Sequence, residues 1–584
     1  MHRSLLLFFG LILSTNIALS QNLSDEMMTP FEKNDNTTTT YQEAIDFYKN
    51  LAEKYATVSM REWGRTDSGQ PLHTVVLSKD GDADPNSNRR KGRLVLMINN
   101  GIHPGEPCGI DASMMMLRDM ARQKELQGLL DKVVIVAIPI YNIGGALNRN
   151  SFARANQNGP KAYGFRGNAR NLDLNRDFIK CDSYNARTFN QLFTHWSPDV
   201  LVDTHTSNGA DYSYTMTLIA TQADKLDPNL AQYLQQQMLP RLYQDMKARN
   251  WEMTPYVYAR DIPDNGIAAF LDLPRYSSGY AALFNTLSFM PETHMLKPFK
   301  DRVESTRTFL ECMIRLMNDQ HQAITEARAK AIENTQYKQS FDLNWELITK
   351  QAEQLIFKGY EAKYKPSEIS GKDRLYYDRE ATFEKEIPYF PHYKASLTID
   401  KPIAYIIPQA YEEVVERMRW NGVQVQQLEA DTEVEVELYR VESYKDRPAY
   451  EGHYLHYNVV VEKQLQKRQY YRGDYLISTT QPTNRYIVET LEPQAPDSWF
   501  AWNFFDGILM QKEYFSAYVF EDLAARYLDE IPGLREKLEQ KKKEDEAFAE
   551  SAYDQLVFIY KHSPHYEPTH RIYPVGRLLT APGQ

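Results

Sequence analysis

The stretch Arg93-Leu-Val-Leu-Met-Ile-Asn-Asn-Gly-Ile-His-Pro-Gly-Glu106 constrains this chain more than any other. Its apolar run, Leu94 to Ile98, is short and unbroken, which predicts a strand buried on both faces. The run empties through Asn99, Asn100 and Gly101 into a turn carrying His103 and Glu106. Pro104 and Gly105 favour a tight bend, so an imidazole and a carboxylate can converge just past a strand end. Both are ordinary zinc ligands. Taken alone, His-x-x-Glu leaves two readings open: half of a metal site, or a chance pairing in a chain of 584 residues.

The pattern around this stretch repeats. A helix is predicted over Tyr41 to Tyr55 and a hairpin over Val58 to Leu77. A Met-rich helix from Ile110 to Arg122 follows, then buried runs at Val133 to Ile138, Val200 to Asp203 and Leu287 to Met290. Strands alternating with helices predict an α/β fold whose sheet is covered on both faces. In open sheets of this kind ligands bind where strands end. Three further segments place polar groups at such ends: Arg170 to Phe178, with Asp173, Asn175 and Arg176; Pro198 to His205; and Asn285 to His294, which reaches a carboxylate at Glu292.

In this order, His103-Pro-Gly-Glu106, Asp173-Leu-Asn-Arg176, His205 and Glu292 resemble the zinc carboxypeptidases of the carboxypeptidase A type, over roughly residues 41 to 325. The resemblance implies a mixed α/β/α sheet that binds one catalytic zinc ion through His103, Glu106 and His205. Three protein ligands leave a fourth position for water. Glu292 is then the general base, within reach of that water and of the leaving amine. Asp173 is similar to the aspartate that accepts a hydrogen bond from a zinc-bound imidazole, which sets its tautomer. Asn175 and Arg176 match the pair that holds a terminal carboxylate, a task suited to a planar guanidinium. Arg149, Arg154, Arg166 and Arg170 all precede this motif, and Arg166 is taken as the arginine facing the oxyanion. Tyr280 is taken as the family's substrate-contacting tyrosine, with packing an open alternative for both Tyr276 and Tyr280. His195, His294 and Cys108 are read as groups that do not bind metal.

The rest of the chain is less specific. A basic start, an apolar run from Leu5 to Leu13 and small residues before Gln21 predict a secretory leader over residues 1–20, too short to span a bilayer. Residues 21–40, polar and Thr-rich, read as a loose segment. With 42% hydrophobic and 25% charged residues the chain can bury large cores, and its three cysteines cannot form a disulfide framework. A net charge of -11 spread along the chain, with no basic stripe, sets nucleic acid aside. The catalytic domain is expected over 41–335. An accessory domain rich in β structure is expected over 336–584, similar only to the tails of long bacterial members. Trp499 to Phe505 is open to two readings, a substrate platform or a core anchor, and Arg472-Gly-Asp474 reads as a turn. The function expected is that of an exported, periplasmic or secreted carboxypeptidase acting on peptides with a free C-terminal carboxylate, with no integral membrane segment once the leader is removed. Two alternatives keep the same residues: an amidohydrolase of acylated amino acids or cell-wall peptides, and a catalytically silent peptide-binding relative.

Overall fold

A computed structural model describes residues 27–580, so the expected leader lies outside the described residues. The first strands, β1 (Val58–Arg65) and β2 (Pro71–Leu77), form an antiparallel hairpin. There follow β3 (Leu94–Asn99), β4 (Val133–Ile138), β5 (Val200–Asp203), β6 (His205–Ser207), β7 (Met216–Ala220), β8 (Met253–Pro255), the two-residue strands β9 (Tyr258–Ala259) and β10 (Ile267–Ala268), and β11 (Leu287–His294). Nine of these make one mixed sheet in the order β1-β2-β4-β3-β5-β11-β7-β8, with β6 beside the far end of β11. The centre, β4-β3-β5-β11, is parallel. From β3 the chain crosses to β4 on one side and later to β5 on the other, so the ends of β3 and β5 flank a crevice of the kind where open sheets bind ligands.

Alternation along β3 explains why its whole run is apolar. Leu94, Leu96 and Ile98 enter one core with the helices Tyr41–Lys54, Cys108–Arg122 and Phe299–Asp319. Val95 and Met97 enter a second core on the opposite face, beside the helix Tyr184–Trp196. The first of these helices starts at Thr40, whose hydroxyl and backbone N–H exchange bonds with Glu43 in a capping box. Its residues Ala44, Ile45, Tyr48 and Leu51 recur at helical spacing and are buried.

The expectation of a loose segment at 21–40 is corrected over its described part, residues 27–40. The buried Asp111 carboxylate accepts from the hydroxyls of Thr38 and Thr39. Arg118 reaches Glu32 with two bonds of 2.7 and 2.8 Å. Polar composition suggested solvent, but buried charges on the helix Cys108–Arg122 need partners, and this segment supplies them.

The second half contains β12 (Ser340–Leu347), β13 (Glu353–Pro366), β14 (Asp373–Phe390), β15 (Tyr393–Asp400), β16 (Ala404–Ile407), β17 (Gln426–Gln427), β18 (Thr432–Asp446), β19 (His456–Tyr470), β20 (Tyr475–Ser478) and β21 (Gly576–Leu578). Six of them form an antiparallel sheet ordered β17-β20-β16-β21-β18-β19. Helices between Ala517 and His562 pack into a small cluster of their own. The aromatic run is core: Trp499, Phe500 and Trp502 are fully buried and belong to the same continuous cluster as Met97, Phe189 and Phe193 of the first half. The second face of the nine-stranded sheet is thus covered in part by the second half of the chain.

A shared core predicts shared melting. Trp499→Ala should cost roughly 3–5 kcal/mol. Scanning calorimetry should show the unfolding of the central sheet moving down with it, whereas an unmoved first-half transition would mean that the two halves unfold independently.

Candidate active site

The turn expected after β3 forms as predicted, with the Glu106 N–H donating to the His103 carbonyl at 2.8 Å. Gly105 leaves room there for Arg154: a Cβ would lie 2.8 Å from its Cδ and would force that side chain to shift. His205 opens β6, directly after β5. These elements bring His103, Glu106 and His205 together from sequence positions about a hundred residues apart, with one candidate ligand atom of each within 4.8 Å of the others. His103 Nδ1 lies 3.4 Å from Glu106 Oε1, and His205 Nδ1 lies 3.3 Å from Glu106 Oε2. The far nitrogen of each ring is anchored: Nε2 of His103 donates to Asp173 Oδ1 at 2.9 Å, and Nε2 of His205 to Asp203 Oδ2 at 3.0 Å. Both Nδ1 atoms are thereby left to face the cluster. Burial would raise the Glu106 carboxyl, but Arg154, at 2.7 Å, and the imidazoles hold it well below the usual carboxylate range.

Around this cluster lies a cavity of about 570 Å³, lined among others by Glu292, Arg166, Asn175, Arg176, Tyr276 and Tyr256. Glu292 stands opposite His205 in the parallel register of β11 and β6, which turns both side chains to one face. Burial lifts its carboxyl to about 7, with the Glu106 carboxylate adding to the rise and the imidazoles opposing it. Asp173 caps the turn Leu174–Arg176 and carries Arg166, whose Nε donates to Oδ2 at 3.0 Å. Although buried, Asp173 is kept ionised by His103 and by the guanidinium groups of Arg166 and Arg176. Of the other loop arginines, Arg149 is used on the Thr38 carbonyl and Arg170 on the Asp182 carbonyl.

Tyr280 is a correction. It is fully buried, donates to Asn421 Oδ1 at 2.6 Å and packs against Phe178, Phe193 and Phe284, away from the cavity. The helix Ser277–Ala282 turns it toward the second core, and Tyr276, just before the helix, lines the cavity instead. His294 is buried and bonded to the Ala210 carbonyl, His195 packs against Trp63 with the rings tilted, and Cys108 is enclosed against Thr206 and Thr293. None of the three is part of the ligand cluster.

Residues 44–239 match the family described as zinc carboxypeptidase. The chain carries a zinc carboxypeptidase domain. That makes it a zinc metallocarboxypeptidase, an enzyme whose family acts on peptides. Among curated relatives, carboxypeptidase 2 of Trichophyton rubrum is 23% identical over 474 residues, covering 78% of this chain and 81% of that protein. Probable carboxypeptidase 2 of Arthroderma benhamiae is 22% identical, covering 77% and 83%. Matches of this length run well beyond the family region into the second half, and these relatives are fungal. Among solved structures, carboxypeptidase A of Helicoverpa armigera is 14% identical, covering 55% of this chain and 79% of that one with a TM-score of 0.38.

The residues of the carboxypeptidase site fit a zinc ion. Ligand atoms about 2.1 Å from a tetrahedral zinc lie about 3.4 Å apart; here one ligand atom of each residue lies within 4.8 Å of the others, with His103 Nδ1 3.4 Å from Glu106 Oε1 and His205 Nδ1 3.3 Å from Oε2. His103 Nδ1 is buried with no hydrogen-bond partner, a state that a metal would relieve. Asp203 was passed over in the sequence as the end of a strand. Its signal was the spacing Asp-x-His on an extended segment, which places both side chains on one face. Arg154 was visible only as one of four loop arginines, and no local pattern distinguishes it. Asp203→Ala should weaken zinc affinity about 10- to 100-fold in competition against a chromogenic chelator, and unchanged affinity would remove Asp203 from this support. Stripping the metal from the intact enzyme should lower its melting temperature, because a ligand bound only by the folded state stabilises that state.

Proposed function

We propose that this enzyme removes C-terminal residues from peptides, using one zinc ion held by His103, Glu106 and His205, with Glu292 as general base. The observation that carries this reading is the placement of Glu292 beside the ligand cluster in a cavity that also contains Asn175 and Arg176. When bound, zinc supplies Lewis acidity, lowering the pKa of a coordinated water from about 16 to about 7. Glu292 accepts the proton released by the attacking water and delivers it to the departing amine, as a carboxylate at hydrogen-bond distance can do in both directions. A carboxyl raised toward neutrality by burial is suited to both halves of that transfer.

Arg176 and Asn175 bind the terminal carboxylate of the substrate. Asn175 Oδ1 is occupied by the Ser277 N–H, so its amide nitrogen remains as the donor. Arg166 is the donor to the developing oxyanion; its side chain is 44% exposed, against 15% for Arg154, which is engaged on Glu106 and on the Thr206 carbonyl. Tyr276, which lines the cavity, is the substrate-contacting tyrosine. The catalytic region is read as 41–335 and the remainder as an accessory region. The leader-like start supports export, to the periplasm or the medium, and no helix among the described residues is long and apolar enough to cross a membrane.

Two measurements test the reading. Glu292→Gln should retain zinc and lose turnover by several orders of magnitude, of which loss of a general base alone contributes roughly 10²- to 10⁴-fold; unchanged turnover would exclude Glu292 as the base. An N-blocked dipeptide with a free carboxylate should be cleaved well and its C-terminal amide poorly, and equal rates would exclude a carboxylate-binding role for Arg176.

A further inference from the structure

Residues 447–455 join β18 to β19 and dock on the rim of the carboxypeptidase site. The loop is closed by paired backbone bonds between Tyr450 and His453. Glu451 and Gly452 both adopt left-handed backbone, at φ 51° and 84°, a conformation unfavourable for glutamate that persists where surroundings enforce it. Three of its polar side chains reach the first half. Tyr450 Oη accepts from Arg176 Nε at 2.9 Å, Glu451 Oε2 accepts from the Asp173 N–H at 2.8 Å, and His453 Nε2 donates to Asp182 Oδ2 at 2.8 Å.

The Tyr450 ring is itself held. It stacks on Trp502 with centroids 6.2 Å apart and planes 18° from parallel. Trp502 donates to Asp497 Oδ1 at 3.0 Å, and the same aspartate accepts from the Arg275 backbone N–H at 2.9 Å and pairs with its guanidinium. The next residue, Tyr276, lies with its ring 4.5 Å from the Arg176 guanidinium carbon. Arg176 is therefore fixed by Tyr450 along its Nε edge and by Tyr276 across its face, and Asp497 ties both supports to the second half.

The effect on Arg176 follows from its donor count. A guanidinium has five N–H groups. Tyr450 takes the Nε–H, and the Asn175 carbonyl takes one from Nη1 at 2.7 Å. With Nε occupied, the two-oxygen grip on a carboxylate is confined to the Nη1 and Nη2 end. We propose that Tyr450, from the half of the chain that bears no ligand of the metal cluster, is a positioning residue that aims Arg176 at the substrate carboxylate. This inference rests on the carboxylate-binding reading of Arg176.

Tyr450→Phe keeps the stacked ring and removes only the oxygen. For an N-blocked dipeptide with a free C-terminus, KM should rise about 10-fold, the size expected for losing a bond to a charged group, with kcat unchanged within about twofold, the pattern of lost uniform binding. Melting temperature and zinc content should match the parent enzyme. In an Arg176→Ala background, where KM is already raised, adding Tyr450→Phe should change KM less than about twofold. A KM unmoved by Tyr450→Phe while Arg176→Ala raises it would overturn the inference and leave the carboxylate reading intact. An equal rise in both backgrounds would also overturn it, because the tyrosine would then act independently of the arginine. If Arg176→Ala itself leaves KM unchanged, the carboxylate reading falls and this inference falls with it.

Discussion

The structure turns on a buried carboxylate, Glu106, placed between two imidazoles at the open end of a parallel sheet. Burying an ion is expensive unless every oxygen has a partner. Here Oε2 accepts from the Thr206 N–H and approaches His205, while Oε1 accepts from Arg154 and approaches His103. The helix Cys108–Arg122 begins two residues later, and its N-terminal dipole favours the negative charge. Each partner is anchored in turn: His103 by Asp173, His205 by Asp203, and Asp203 by Asn99 Nδ2 at 3.1 Å. The result is a cluster of alternating carboxylates and imidazoles in which three ligand atoms converge.

Parallel strands make such a cluster possible. β3, β5 and β11 run in the same direction, so the residues that follow them emerge at one edge. His103 and His205 leave from neighbouring strands, and Glu292 rises beside His205 because β6 continues the pairing with β11 beyond the point where β5 stops. The short β6 sets the height of Glu292 relative to His205. The apolar residues below this edge are packed on both faces, which gives the polar groups above it a floor that does not move.

The second half is part of the same folded body. Its aromatic residues complete the core on one face of the sheet, its loop 447–455 touches the segment that carries Asp173 and Arg176, and Asp497 fastens Arg275 beside Tyr276. A domain that only followed the catalytic one would share neither core nor site. Similarity to carboxypeptidase 2 of Trichophyton rubrum likewise extends into both halves.

Much of the site could be read directly from the residues. Short apolar runs ending in His103, His205 and Glu292 announce buried strands with polar ends, because burial on two faces leaves no alternation to confuse the pattern. Asp173-Leu-Asn-Arg176 is local, so its turn and its order survive in the linear chain. The helix Tyr41–Lys54 is equally local, written in its cap and spacing. Other features depended on packing between distant segments. Tyr276 and Tyr280 lie four residues apart with the same chemistry, and only the rotation of one short helix against Phe178 and Phe193 sends one to the cavity and the other to the core. Arg154 gains its importance from a carboxylate 48 positions away, and Tyr450 from an arginine 274 positions away. The polar segment 27–40 is held by Asp111 and Arg118 beneath it, partners that its composition does not reveal. Sequence by itself determined which imidazoles and carboxylates end the buried strands and in what local turns they sit, since those depend on short-range backbone preference and burial. Tertiary structure alone decided which identical groups meet them, because that choice is made by contacts the linear order does not record.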